Sequence, residues 1–184
     1  MDRGTRTRRM RRSVVGGLAL AAGLGLAACG GATGTDPGDS VLVDGTTRAA
    51  LSVTPGGPLL IPTGASCHYE ASYELDMTVG TLSWSACRLH GPATDPASYA
   101  VDTGTRTLTS IERAQVSARI QAVHVTDSKM CGADKDSLQL TIDSRSGHRV
   151  YGDDFYGCLK AFDLYADSQA LGNLRTSMDD LSRQ

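Results

Sequence analysis

The chain has 184 residues, with 18 basic against 20 acidic side chains and a net charge of −2, but six of the bases (Arg3, Arg6, Arg8, Arg9, Arg11, Arg12) crowd into the first twelve residues beside a single acid, Asp2. Without residues 1–28, 12 bases face 19 acids, a net charge of about −7, which suits neither nucleic acid nor anionic lipid headgroups as partners. The 156 residues left are enough for one domain with a modest core, and with one tryptophan, six tyrosines and two phenylalanines in the chain that core needs support beyond apolar burial.

The arginine-rich start runs into Ser13–Ala28, which carries no charge. This is the n-region and h-region order of a signal peptide. The apolar run Val14–Ala28 would measure roughly 22 Å as a helix against about 30 Å for a bilayer core, so a permanent span is not expected. Leu26, Ala27, Ala28 and Cys29 close the run. They resemble the lipobox of bacterial lipoproteins. The resemblance covers the leader alone. It implies a diacylglyceryl group on the Cys29 thiol, cleavage just before Cys29, and often a further acyl chain such as palmitate on the new amino terminus. Two or more chains make a stable anchor, so the membrane partner is reached through lipid, and no other cofactor is expected. The rival reading is a plain secretory leader cut after Ala27-Ala28. Gly30 stands where lipoproteins often carry an aspartate for inner-membrane retention, which points to an outer-membrane site facing the periplasm or the cell surface.

Gly30–Ser40 is small, polar and glycine-rich, the composition of a flexible spacer of about 18 Å. From residue 41 a single domain is expected, giving segments 1–28 (signal peptide), 29–40 (lipidated cysteine and tether) and 41–184. Within it, 41–66 reads as partly irregular edge structure, because Pro55, Gly56, Gly57, Pro58 and Pro62 interrupt the short apolar runs. From Cys67 to Val79 apolar and polar residues alternate without a break, a half-buried strand. After Gly80 a second strand runs through Leu82, Trp84 and Ala86, and a change of phase at Cys87 and Leu89 reads as a bulge near Ala86. Tyr99–Leu108 could add a short strand.

Thr109-Ser110-Ile111-Glu112 fits a capping box, with Val116, Ile120 and Val123 behind it at helical spacing; a helix over about 110–123 is preferred to a strand. Leu138, Leu140 and Ile142 alternate, Ser144–Gly147 supply a turn, and Val150 and Tyr151 return, a second hairpin. Asp167 or Ser168 then caps a helix carrying Leu171, Leu174, Met178 and Leu181 on one face. The predicted fold class is α+β: an antiparallel sheet from two β-hairpins with two helices packed on one side.

Four cysteines follow Cys29. An exported domain with Cys67, Cys87, Cys131 and Cys158 widely spaced points to two disulfides rather than a zinc site. Three pairings are possible. Placing Leu140 opposite Val150 in the hairpin brings Cys131 and Cys158 within one residue of the same register line, which favours 131 to 158; Cys67 to Cys87 follows by elimination.

No nucleophile elbow, glycine-rich phosphate loop or metal-binding histidine spacing is present in the sequence, so neither a catalytic residue nor a metal site is expected. Two acidic stretches are candidate binding surfaces: Glu70 and Glu74 on the polar side of the alternating strand, and Asp153 and Asp154 in the aromatic loop before Cys158. Both would contact a basic partner in a salt-dependent way, against the simpler reading that these acids only face water. The expected function is a non-catalytic binding module of the cell envelope, with a possible envelope protein as partner. The alternatives are a structural envelope component and an inhibitor, since the order hairpin, helix, hairpin, helix is similar in plan to small bacterial protease-inhibitor domains of the emfourin kind.

Overall fold

The structure, a computed structural model, describes residues 33–57, 61–132, 134–158 and 161–184. The segments read as a signal peptide and a lipobox, with Cys29, lie outside the described residues. Eight strands form one sheet: β1 (Thr46–Thr54), β2 (Ala71–Asp76), β3 (Thr81–Leu89), β4 (Tyr99–Thr107), β5 (Val125–Thr126), β6 (Ser137–Ser144), β7 (Gly147–Asp153) and β8 (Leu164–Ala166), with helices α1 (Ser110–Gln121) and α2 (Ser168–Ser182). The strand order is β4-β3-β2-β1-β6-β7-β8-β5. Every neighbouring pair is antiparallel except β7 and β8. The sheet is therefore larger than two hairpins.

The main correction concerns β1. Its alternation puts Ala49, Leu51 and Val53 in the core and leaves Ser52 and Thr54 exposed. It is a central strand, paired with β2 on one side and β6 on the other, and not edge structure. The prolines and glycines that suggested interruption begin only at Pro55, after the strand has ended.

Leu51 faces both Tyr73 and Leu140 across the register, and Ala49 faces Leu75 and Ile142. These side chains share one hydrophobic cluster with Val116 and Ile120 of α1 and Leu171, Leu174, Met178 and Leu181 of α2. The helices thus cover the face of the sheet to which those strand residues point. Each such fully buried aliphatic side chain contributes about 1.5–3 kcal/mol. The capping box of α1 is formed as expected, with Thr109 accepting from the Glu112 N–H and Glu112 accepting from Thr109.

The phase change in β3 is not a bulge. Its register with β4 is continuous through Ala86 and Cys87, and its register with β2 is unbroken up to Ala86. Both residues are buried: Ala86 lies on the helix side of the sheet with Leu82, and Cys87 points the other way into a small second cluster with Cys67 and Tyr99. That cluster holds the disulfide Cys67–Cys87; the second disulfide is Cys131–Cys158, with Cα atoms 5.7 and 5.0 Å apart respectively. In the second hairpin Leu140 pairs with Tyr151 rather than Val150, one residue from the expected register.

The amino-terminal stretch is docked rather than free. Gly38 N–H donates to Val125 O and Val41 N–H to Val123 O, Ser40 bridges His124, and the buried Tyr151 hydroxyl donates to Gly34 O. Val41 is fully buried. The small residues that suggested a spacer are what let this backbone lie flat against the sheet end: a Cβ on Gly34 would come within 2.8 Å of Val43. Among the described residues no helix is long and apolar enough to cross a membrane, and two disulfides are compatible with an extracytoplasmic location.

Candidate functional site

The four acids singled out in the sequence do not come together. Glu74 lies on the uncovered face of the sheet, where Arg48 donates to Glu74 Oε2 at 2.6 Å and to Asp143 Oδ2 at 3.0 Å, and His148 Nδ1 sits 2.6 Å from Asp143 Oδ1. The hydrogen bond from Arg48 holds the Glu74 carboxyl below its ordinary range, and His148 followed by Arg48 does the same for Asp143. Glu70 precedes β2 and accepts the His68 N–H at 2.7 Å. Asp76, at the strand end, is lowered mainly by Thr78, whose hydroxyl and N–H it accepts. The expected acidic face is thus a set of local pairs and turn caps set among hydroxyl residues such as Ser52, Ser72, Ser83 and Thr105.

Asp153 and Asp154 face inward. Asp153 follows Tyr151 by two on β7 and so points to the same side; it has no exposed area, accepts the Phe155 N–H at 2.9 Å, and leaves Oδ2 without a hydrogen-bond partner, 3.8 Å from Lys135 Nζ. Burial raises its carboxyl above the ordinary range. Asp154 is 6% exposed and accepts the Ser168 N–H at the start of α2. These carboxylates tie the loop to the domain and offer a partner little surface.

A different group of side chains converges on a cleft of about 310 Å³ between the second half of α2 and the adjoining ends of β2 and β3. Its floor is low because Ala71 and Ala86 sit opposite each other in the β2–β3 register, so two methyl groups stand where larger side chains would fill the space. Above them, Arg175, Asp179 and Arg183 recur every four residues along one flank of α2 and its C-cap, the spacing that puts side chains above one another on a helix. From the sheet come Tyr73 and Arg88.

Arg88 is the centre of this group. Its side chain is only 10% exposed; it donates to Asp179 Oδ1 at 3.0 Å and to the Ser182 hydroxyl, and lies 3.8 Å from Asp102. Its Nε is buried and has no hydrogen-bond partner. Asp179 also accepts from Tyr73 at 2.9 Å and from Arg183 Nε at 2.8 Å. Burial opposes its charge, but the bonds from Arg183 and Tyr73 outweigh it and the carboxyl is lowered on balance. Tyr73, pressed first by burial and then by the bond to Asp179, is pushed up to about 12 and stays a neutral donor. Arg175 reaches sideways to Asp136. The lining therefore carries three guanidinium groups and one carboxylate in a domain whose overall charge is negative.

Reasoning from sequence did not find this cleft. The signal it could have used is the run Arg175, Asp179, Arg183 at spacing four beside the apolar stripe of α2. Arg88 could not be assigned, because its partners come from residues 14 and 91 positions further along the chain. No family model, no curated protein and no solved structure matches this chain.

Proposed function

We propose that this chain is a lipid-anchored bacterial envelope lipoprotein whose folded domain is a non-catalytic binding module, and that it binds through the cleft under α2. The lipobox-like quartet ending in Cys29 supports the anchor. The observation that carries the binding reading is the convergence of three guanidinium groups, Arg88, Arg175 and Arg183, on one cleft whose lining holds a single carboxylate, Asp179.

The test is photo-crosslinking in intact cells. A small photoreactive residue in place of Ala71, which lies opposite Ala86 on the cleft floor and is partly exposed, is expected to give a discrete adduct. The same residue in place of Thr105, on the uncovered sheet face, is expected to give none. Equal adducts from both positions, or an adduct from Thr105 alone, would move the binding site away from the cleft.

One observation favours a second reading, an inhibitor of proteases. Asp127–Met130 is an exposed stretch without regular structure, fixed at its end by Cys131–Cys158 and by backbone bonds from Met130 N–H to Asp154 O and Gly132 N–H to Phe155 O. Pre-organised segments of this sort bind with little change of shape. On this reading, subtilisin or trypsin is inhibited by the oxidised protein and the inhibition is lost when the disulfide is reduced; activity of both proteases unchanged by stoichiometric protein would reject it.

A further inference from the structure

We infer that the cleft under α2 recognises an oxyanion, a carboxylate or a phosphate group on a small ligand, held by Arg88 and Arg183 with Arg175 at the rim. This rests on the reading of the domain as a binding module and names the chemistry of what it binds.

The donor arithmetic points to an acceptor-only ligand group. A guanidinium has five N–H donors and no acceptor. Arg88 spends Nη2 on Asp179 and Ser182 and keeps Nη1 at 3.8 Å from Asp102, too far for a hydrogen bond. Arg183, which also lines the cleft, engages Asp179 through Nε, which leaves its terminal nitrogens for other acceptors on a side chain that is 56% exposed. Asp179 is already shared among Arg88, Arg183 and Tyr73. Asp102 stands beside Arg88 and Asp136 holds Arg175, both from outside the cleft, so what the cleft itself offers in surplus is N–H donors. A planar carboxylate or a phosphate supplies several acceptor sites and matches the fork of a guanidinium, where hydrogen bonds are charge-assisted and shorter than between neutral groups.

The shape agrees with the chemistry. A volume of about 310 Å³ lies at the lower end of small-ligand sites. The floor of Ala71 and Ala86 and the side of Tyr69 are apolar, so the ligand carries its charge at the helix side and a small apolar body toward the sheet. Cations lack this complement, because the polar groups at the helix side are predominantly donors.

The inference is tested on the full-length protein recovered from cells, by following its thermal unfolding with sodium succinate, with sodium phosphate, and with sodium chloride at matched ionic strength. Binding to the native state raises Tm by mass action. Succinate, phosphate or both are expected to raise Tm by about 2–6 °C beyond chloride when saturating, and the arm that does so separates a carboxylate ligand from a phosphate one. Arg175→Ala and Arg183→Ala, at partly exposed positions, are expected to weaken the apparent dissociation constant at least about tenfold, since charge-assisted bonds contribute roughly 1.5–3 kcal/mol. Arg88→Lys keeps the charge, loses the fork, and is expected to behave likewise if it folds. Equal shifts in all three salts, or the same response in both alanine variants as in the wild type, would overturn the inference. Crosslinking from Ala71 reports on the binding site independently, so an adduct there without any anion effect would leave the module reading standing and remove only the oxyanion.

Discussion

Asp153 shows how one buried carboxyl is set by its place in a strand. Pointing inward with Tyr151, it lies among Phe155, Leu138, Lys135 and Asp154, and burial makes the native state hold its proton more tightly than the unfolded chain does. The sign follows from proton linkage. Between the ordinary aspartate range and the raised native value, folding takes up a proton, so the contribution of Asp153 to stability falls as pH rises through that window. Asp153→Asn keeps an acceptor for the Phe155 N–H and cannot titrate. Denaturant unfolding of both proteins from about pH 3 to pH 7 is expected to show the variant gaining on the wild type as pH rises; a difference independent of pH would contradict the inward placement. The inward direction was legible from the spacing of two between Tyr151 and Asp153. The aromatic and acidic composition of the loop drew attention instead to a surface role.

At the level of elements, what could be read depended on how local the cause was. Both helices were legible because their caps and apolar spacing lie within a dozen or so neighbouring residues, and α1 begins at the capping box of Thr109 and Glu112. Thr109→Ala leaves the Glu112 N–H without its side-chain acceptor and is expected to cost about 1 kcal/mol, read as a lower denaturant midpoint with an unchanged slope; no shift would mean that the cap contributes nothing to the folded domain. β2 and β3 were legible from their alternation, although β2 is shorter at both ends than Cys67–Val79: it begins only at Ala71, after Tyr69 with φ 66°, and stops at Asp76, where the carboxylate caps the turn at Thr78 and Val79. β5 and β8 were not. Strands of two and three residues have no measurable period, and the parallel pairing of β7 with β8 depends on a crossing that no short window of sequence contains. The β3 phase change misled for a related reason: the burial of Cys87 is caused by Cys67, twenty residues earlier.

For the whole molecule, docking of the chain from Thr33 changes the meaning of the glycine-rich segment. Only Gly30, Gly31 and Ala32 separate Thr33 from Cys29, a reach of at most about 14 Å between the two Cα atoms, compared with the longer spacer that composition suggested. On the proposed lipid anchor, the docked stretch beside β5 is held against the headgroups. β4 is the opposite edge of the sheet, seven strand spacings or roughly 34 Å away. A fluorophore at Asp127, next to β5, is expected to be quenched by a quencher carried on lipid headgroups more strongly than one at Thr105 in β4. Equal quenching would mean that the domain tumbles freely on its anchor.

The anchor itself is tested most directly by metabolic labelling with radioactive palmitate, comparing the wild type with Cys29→Ser in the host envelope. The wild type is expected to incorporate label, to be shortened by the leader, and to fractionate with membranes, while Cys29→Ser stays unlabelled and at precursor length. A wild-type protein that is processed, unlabelled and released from membranes, or a Cys29→Ser variant labelled as strongly as the wild type, would contradict the lipid anchor.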